Sequence, residues 1–528
     1  MTHPRSAFGA PHRGDHGPRL QADLHRLGRA EEWPRLAAMR PARPTGEPAK
    51  PASRWLLGER PVRGQVAARA PAEYSLPVAD DSQRALARGW LVLGLVALIG
   101  SGLFSLLLVA ARTPGLNAVL PAADWFRVAL VVHVDLSVLV WFSAMAGMLW
   151  SLNTSARGAA WSWAALGLCA AGTLLMSLAA FISPGTPIMA NYIPVLDSPL
   201  FHAGLSIFGA GATLQVLRSL WAAQRIGSSP GGAAALRFGL NASAVAAAVA
   251  LLAMAASLLL VPAALDGKAY YEILFWGVGH ALQFTWTLAM LVAWLWLAQA
   301  CSARMALSPR VVLLLFALAL ASVFVTPYAY LAHDVATVEH RALHTWAMRL
   351  GGGLAIFPVA LAVVLAMLPL RQLPATARPL RAALWSSMAL FASGGVIGLF
   401  IGGSNVTIPA HYHGCIVGVT LALMGLVYHL LPQLGWRAPQ GRLAVAQPVL
   451  YAVGQWMHIA GLVWSGGYGV QRKVAGGEQV LRSAGEVAGM GLMGLGGLIA
   501  IIGGLLFVVV VLGALRAPTT RDALRAHR

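Results

Sequence analysis

The stretch IGGSNVTIPAHYHGCIVGVTLALMGLVYH, residues 401–429, sets two imidazoles, His411 and His413, at the head of a long apolar run. Residues two apart on an α-helix point about 200° from one another, so these rings leave opposite faces. Neutral imidazole is an axial ligand for haem iron and a ligand for copper or non-haem iron. One helix could therefore serve two haems, one on each side. Three more histidines stand in comparable apolar settings: His133 in VVHVDLSVLVWF, His280 in FWGVGHALQF and His333 in YLAHDVATVEH. Ionisable side chains inside a bilayer are costly, and function is their usual explanation.

The elements that must hold these rings are membrane helices. Of 528 residues, 58% are hydrophobic and 11% charged, far below the charged share of soluble domains, which is about 25%. Spans of about 20 apolar residues fall near 88–111, 124–151, 159–182, 198–222, 237–263, 271–299, 309–333, 346–369, 382–403, 408–434, 447–466 and 486–515. The fold class expected is an all-α membrane protein, a bundle of twelve transmembrane helices over residues 87–515. Residues 1–86, rich in Pro, Ala and Arg, read as a disordered basic cytoplasmic tail, and 516–528 as a second cytoplasmic tail. The first residues have no early apolar core of the kind a signal peptide needs.

The net charge of +19 does not point to nucleic acid, because the basic residues sit in the tail and in alternate loops. Arg157, Arg225, Arg237, Arg304, Arg310, Arg371, Arg378, Arg381, Arg437 and Arg442 all follow even-numbered spans. By the positive-inside rule both termini are cytoplasmic, and the membrane expected is the bacterial cytoplasmic (inner) membrane. Two loops break the alternation: 334–345, and 467–485 with Arg472, Lys473 and Arg482. Three scattered cysteines, without CxxC or CxxCH, give neither a disulfide framework nor a covalent haem site.

With this sidedness, His133, His280, His333, His411 and His413 all lie within roughly 15 Å of the outer edge, at 1.5 Å per residue. Histidines that serve only packing have no reason to choose one level. His202, His340 and His344 fall in or beside outer loops, His429 on the inner half and His458 in mid-span. For these five, packing, hydrogen bonding or a surface role is expected.

These motifs, in this order and spacing, with IPAHYHGCIVGVTLALMGLVYHLLP and GYGVQRKV, resemble the catalytic subunit I of the haem-copper oxidase superfamily. That superfamily includes cytochrome c oxidases and respiratory nitric oxide reductases, and the likeness covers roughly residues 85–515. It implies that His133 and His413 are the axial ligands of a low-spin haem. It further implies that His411 holds a high-spin haem whose open face takes a diatomic gas, and that His280 and His333 bind a non-haem metal, iron or copper, facing it. Both haems are expected to be b-type. Arg472 and Lys473 match the basic pair that clamps haem propionates, which accounts for cations on the outer side.

Departures from the family pattern bear on the substrate. Where oxidases carry adjacent histidines at the end of span seven, this chain has His333-Asp334; where they carry a tyrosine after the span-six histidine, it has Phe284. The better-known nitric oxide reductases place a glutamate there. Pro358 is followed by Ala362 rather than by a proton-route lysine. Splitting O2 takes four electrons and draws one from a tyrosine, whereas joining two NO takes two. Two histidines and a carboxylate, His280, His333 and Asp334, favour non-haem iron, although Asp334 could instead pair with Arg341 or Arg349. Tyr328 and Tyr330 lie near His333, and one oxidase branch takes its tyrosine from this span.

The function expected is a respiratory oxidoreductase that reduces NO to N2O, with reduction of O2 to water as the alternative. Its partners would be membrane lipid and an electron donor: a subunit carrying CuA or a cytochrome c, or else quinol. A haem-binding sensor using only His133 and His413, or a transporter with helices broken at the midplane, are the rival classes.

Overall fold

The computed structural model describes residues 73–78, 81–116, 123–227, 230–475 and 478–516. Its helices are α1 Asp81–Arg112, α2 Trp125–Leu152, α3 Ala159–Ile182, α4 Pro199–Trp221, α5 Gly232–Leu260, the short α6 Gly267–Leu274, and α7 Trp276–Ala300. They continue as α8 Pro309–Ala332, α9 Val338–Met367, α10 Arg378–Leu399, α11 Thr407–Leu430, α12 Gly441–Gly467 and α13 Ala484–Arg516. Between α3 and α4, strands β1 Thr186–Ile188 and β2 Val195–Asp197 pair antiparallel, with Pro187 opposite Leu196.

The all-α class holds, with this one small hairpin. Among the described residues eleven helices are long and apolar enough to cross a membrane. The remaining expected span, near 447–466, is α12; its 27 residues are long enough, but Gln447, Gln455 and His458 dilute its apolar character. The span expected at 271–299 begins at Trp276, after the separate α6.

The tails fall mostly outside the described residues. The parts of 1–86 that are described are ordered: α1 starts at Asp81, and Tyr74 is buried with its hydroxyl donating to the Leu307 carbonyl at 2.9 Å.

Two helices are enclosed on nearly every side, α7 and α11. Both are apolar around their whole circumference, the pattern of a helix in the middle of a bundle, and both carry chemistry-bearing histidines. Some of their polar atoms are satisfied across helices, as where Trp294 Nε1 donates to Ser387 Oγ at 2.8 Å and Tyr428 to Gln447 Oε1 at 3.0 Å. Such bonds contribute about 0.6 kcal/mol each in membrane bundles.

Three interruptions lie near the histidines. In α2 the ladder widens to a π-turn over Asp135–Val140, directly after His133, a distortion found mainly at functional sites. In α8 the helix breaks at Phe324, because Pro327 has no N–H for the Val323 carbonyl. The third is at the start of α9. The polar run VEHRALHTWAMRLG, part of which reads as an outer loop, is helical from Val338. Thr337 caps it by accepting from the His340 N–H at 3.3 Å, and Glu339 stands in the first turn, where the helix dipole favours an acid.

Candidate functional site

His133, on α2, is half-buried and turns its Nδ1 to the Ser101 carbonyl and hydroxyl on α1, each at 3.0 Å. His413, on α11, interacts electrostatically with His133, with His458 and with Arg112. The His413 and His458 rings are 4.8 Å apart, and His458 Nδ1 faces the Met493 carbonyl at 3.0 Å. Thus His413 interacts with His133 and stands against His458, an imidazole that reads in sequence as packing.

His411 leaves the opposite face of α11, towards α10. Its Nδ1 lies 2.7 Å from the Gly394 carbonyl. The ring fits because α10 carries glycine there: a Cβ on Gly398 would stand 2.6 Å from His411 Nδ1, and one on Gly394 would meet the α11 backbone at Cys415 N, 2.5 Å away.

His280, early in α7, is buried; its Nδ1 is 2.8 Å from the Trp276 carbonyl and its Nε2 3.0 Å from the Tyr192 hydroxyl. Its histidine neighbours are His344 and His340, not His333. The His280 and His344 rings are 5.6 Å apart, and His344 and His340 4.7 Å. Tyr330 stands 4.7 Å from His340 and donates to or accepts from Ser257 at 2.6 Å. Both α9 histidines are 1% exposed, and His340 Nδ1, His340 Nε2 and His344 Nε2 have no hydrogen-bond partner. Buried polar atoms left unpaired cost about 1–3 kcal/mol each, so such a group calls for a ligand or a bound ion.

The expected trio of His280, His333 and Asp334 is not brought together. His333 caps the end of α8, half-buried, and both it and Asp334 interact electrostatically with His340. Asp334 is exposed, and its carboxylate accepts from the Ala336 N–H at 2.8 Å. The oxygen is spent on turning the chain into α9. Nor does Asp334 pair with Arg341 or Arg349; the ion pairs among the described residues are Arg84–Asp81 and Arg127–Glu478.

Among the described residues no three His, Cys, Asp or Glu side chains stand as a closed metal-ligand set. Both His280 nitrogens are in hydrogen-bond contacts. The donor chemistry nonetheless fits metals. His133, His280, His344, His411 and His458 each turn Nδ1 to a main-chain carbonyl. That arrangement orients a metal-binding imidazole and leaves Nε2 as the coordinating atom, which in His280 is the nitrogen that meets the Tyr192 hydroxyl.

The β-hairpin joins the two regions. Lys473 Nζ donates to the Met189 carbonyl at 2.5 Å and to Asn191 Oδ1 at 3.2 Å, and Arg472 reaches the same oxygen at 3.4 Å. Asn191 Nδ2 in turn donates to Glu272 Oε2 at 2.7 Å. Three described non-glycine residues have left-handed backbone, and two of them, Tyr192 (φ 67°) and Lys473 (φ 64°), meet here. Strain of this kind, about 1–3 kcal/mol per residue, persists where the surroundings over-determine it and clusters at functional sites. Tyr192 is wedged against the bare Cα of Gly279, where any Cβ would strike its ring.

Burial, and then Arg472 and Lys268, bring the Lys473 ammonium down to about 8 against the pull of Glu272. Burial, and secondarily Glu272, raise the Tyr192 phenol above its usual range. A further cation was missed in sequence. Arg112, at the end of α1, donates to Gln479 Oε1 and to the Gln471 carbonyl, each at 3.1 Å, beside Tyr412 and His413. With Arg472 and Lys473 it makes this end of the bundle able to bind an anion.

A protein of Rickettsia prowazekii (strain Madrid E), itself uncharacterized, is 27% identical over 493 residues, covering 80% of this chain and 95% of that protein. An uncharacterized protein of Aquifex aeolicus (strain VF5) is 28% identical over 361 residues, 67% of this chain and 86% of its own. The family model for cytochrome c and quinol oxidase polypeptide I matches residues 85–506. With its bundle of apolar helices and its imidazoles gathered at one end, the chain belongs to the cytochrome c and quinol oxidase polypeptide I family, the membrane oxidoreductase subunits of the haem-copper oxidase superfamily.

Proposed function

We propose that this chain reduces nitric oxide, 2 NO + 2 e⁻ + 2 H⁺ giving N2O and H2O. His133 and His413 would hold the low-spin haem and His411 the high-spin one. His340 and His344, with His280 once the Tyr192 hydroxyl yields its Nε2, would hold the non-haem metal, a set proposed in place of His280, His333 and Asp334. Three imidazoles suit copper and iron alike, so the reason to prefer iron leaves with Asp334. When bound, the second haem and the metal supply one electron each and a place for the gas.

The residues do the rest. Gly394 and Trp276 carbonyls orient His411 and His280. Arg112, Arg472 and Lys473 offer cations to haem propionates. The observation that carries the NO reading is the placement of the polar groups. Glu272 is joined through Asn191 to the hairpin that lays Tyr192 on His280. Protons drawn from the histidine-bearing end, where Glu272 stands, would not need to cross the bundle, and two suffice.

One observation favours a second reading, reduction of O2 to water. Phe284 provides no phenol, but Tyr192 stands 3.0 Å from His280 Nε2, and the Tyr330 ring 4.7 Å from that of His340. Electrons would come from a partner carrying CuA or a cytochrome c, or from quinol. The arginine-rich loops support cytoplasmic termini and a location in the bacterial inner membrane.

Purified protein supplied with an artificial donor is expected to form N2O from NO; rapid O2 consumption without N2O would replace this reading by the second. His340→Ala and His344→Ala are expected to lose the non-haem metal by elemental analysis, and His333→Ala and Asp334→Asn to keep it.

A further inference from the structure

A cavity of about 730 Å³ lies at the end of α10 opposite His411, in the connection from α9. It is lined by Arg371, Gln372, Leu373, Pro374, Arg378 and Arg381. No acid stands among them, and none occurs in the connecting sequence LPLRQLPATARPLR. Two of the guanidinium groups are held by main-chain oxygens: Arg381 Nη1 donates to the Leu370 carbonyl at 3.2 Å and Arg378 Nε to the Leu373 carbonyl at 3.3 Å. Each keeps further N–H donors for something else. A cup of three guanidinium groups is complementary to a phosphate, whose oxygens match their fork geometry.

The neighbouring surface says what carries that phosphate. Leu361 and Leu365 on α9 and Leu368 just past its end, at helical spacing, are 60%, 57% and 64% exposed and form an apolar stripe that runs up to Arg371. Leu354 and Phe357 extend the same stripe further from the cup. Sidedness alone would scatter arginines through the loop; here they converge on one hollow at the end of a lipid-facing stripe. A soluble phosphate uses only the cup. A phospholipid uses both, with acyl chains along α9 and headgroup among the arginines.

We propose that this cavity binds the headgroup of an anionic phospholipid, with phosphate as the recognised group and the α9 stripe as the seat of the chains. Basic pockets beside transmembrane helices suit such headgroups, and each arginine near them contributes about a fivefold gain in affinity.

The test uses the full chain, purified in detergent, stripped of lipid and incubated with phosphatidylglycerol, with bound lipid counted by native mass spectrometry. The wild type is expected to retain phosphatidylglycerol in preference to phosphatidylcholine. The triple variant Arg371→Gln, Arg378→Gln, Arg381→Gln should bind it on the order of a hundredfold more weakly, with an unchanged absorption spectrum showing that it is folded. The triple lysine variant keeps the charge and should retain a large part of the binding. Equal retention of phosphatidylglycerol by wild type and the glutamine variant would overturn the proposal. So would full displacement of the lipid by inorganic phosphate, which would make the cup a free-anion site.

Discussion

At the scale of single residues, the left-handed pair Tyr192 and Lys473 marks where the chain has accepted strain to place side chains. Tyr192→Phe keeps the ring on Gly279 and removes only the hydroxyl at His280. Loss of such an outer partner typically costs about 10–100-fold in metal affinity or activity. The expected result is turnover lowered by that factor with haem content unchanged; unaltered turnover would reduce Tyr192 to a packing role. Lys473 supports a pH prediction. Its ammonium titrates near 8, so raising the pH through 8 removes a positive charge beside the proposed low-spin haem. Removing positive charge favours the oxidised, more positive iron, so the midpoint potential falls. At an effective dielectric of about 20 and a distance of about 10 Å the loss is roughly 1–2 kcal/mol, or about 50–100 mV. Lys473→Gln should show the lowered potential at pH 7 and no further drop towards pH 9, by potentiometric titration. The sequence made Lys473 legible because a cation on the expected outer side needed a partner. Tyr192 was not legible, since nothing local shows that a loop tyrosine will reach a histidine 88 positions on.

At the scale of elements, the glycines of α10 explain how a bulky imidazole is held between two close helices. Gly398→Ala puts a methyl into the His411 ring, whereas the neighbouring Gly395 has nothing within 4 Å of a Cβ. The expectation is that Gly398→Ala loses the spectrum of the gas-binding haem while Gly395→Ala keeps it; two identical spectra would remove His411 as its ligand. Here the 200° spacing of His411 and His413 told most of the story, because helix geometry is local. The reverse holds at the start of α9. His340 and His344 lie one helical turn apart in a run too polar to pass for a membrane span. Averaged hydropathy makes 334–345 a loop, and its two histidines surface residues. The signals against this were also local: Thr337 as cap, Glu339 in the first turn and an i, i+4 histidine pair. They are outweighed in a reading keyed to apolar length, and likeness to the family drew attention to His333-Asp334 instead.

At the scale of the whole molecule, apolar length and charge alternation made the bundle readable, because a bilayer leaves a chain few ways to satisfy its backbone. The packing between helices was less readable. Helices α12 and α13 approach closely along glycines: a Cβ on Gly454 would stand 2.8 Å from Ala500 Cα, and one on Gly461 2.9 Å from Met493 Cα. Gly461→Val is expected to cost roughly 1–3 kcal/mol or more through overpacking, seen as a lower Tm. Gly491→Ala, with open space around it, should leave Tm unchanged. The hairpin has a consequence for biogenesis. Its asparagine and tyrosine contact partners that follow 81 to 282 positions later, so a chain threaded into the membrane from its N-terminus holds the hairpin idle until α6 and α7 and then the segment after α12 arrive. Nascent chains halted before residue 276 should therefore leave Tyr192 open to aqueous labelling reagents, and full-length ones should shield it.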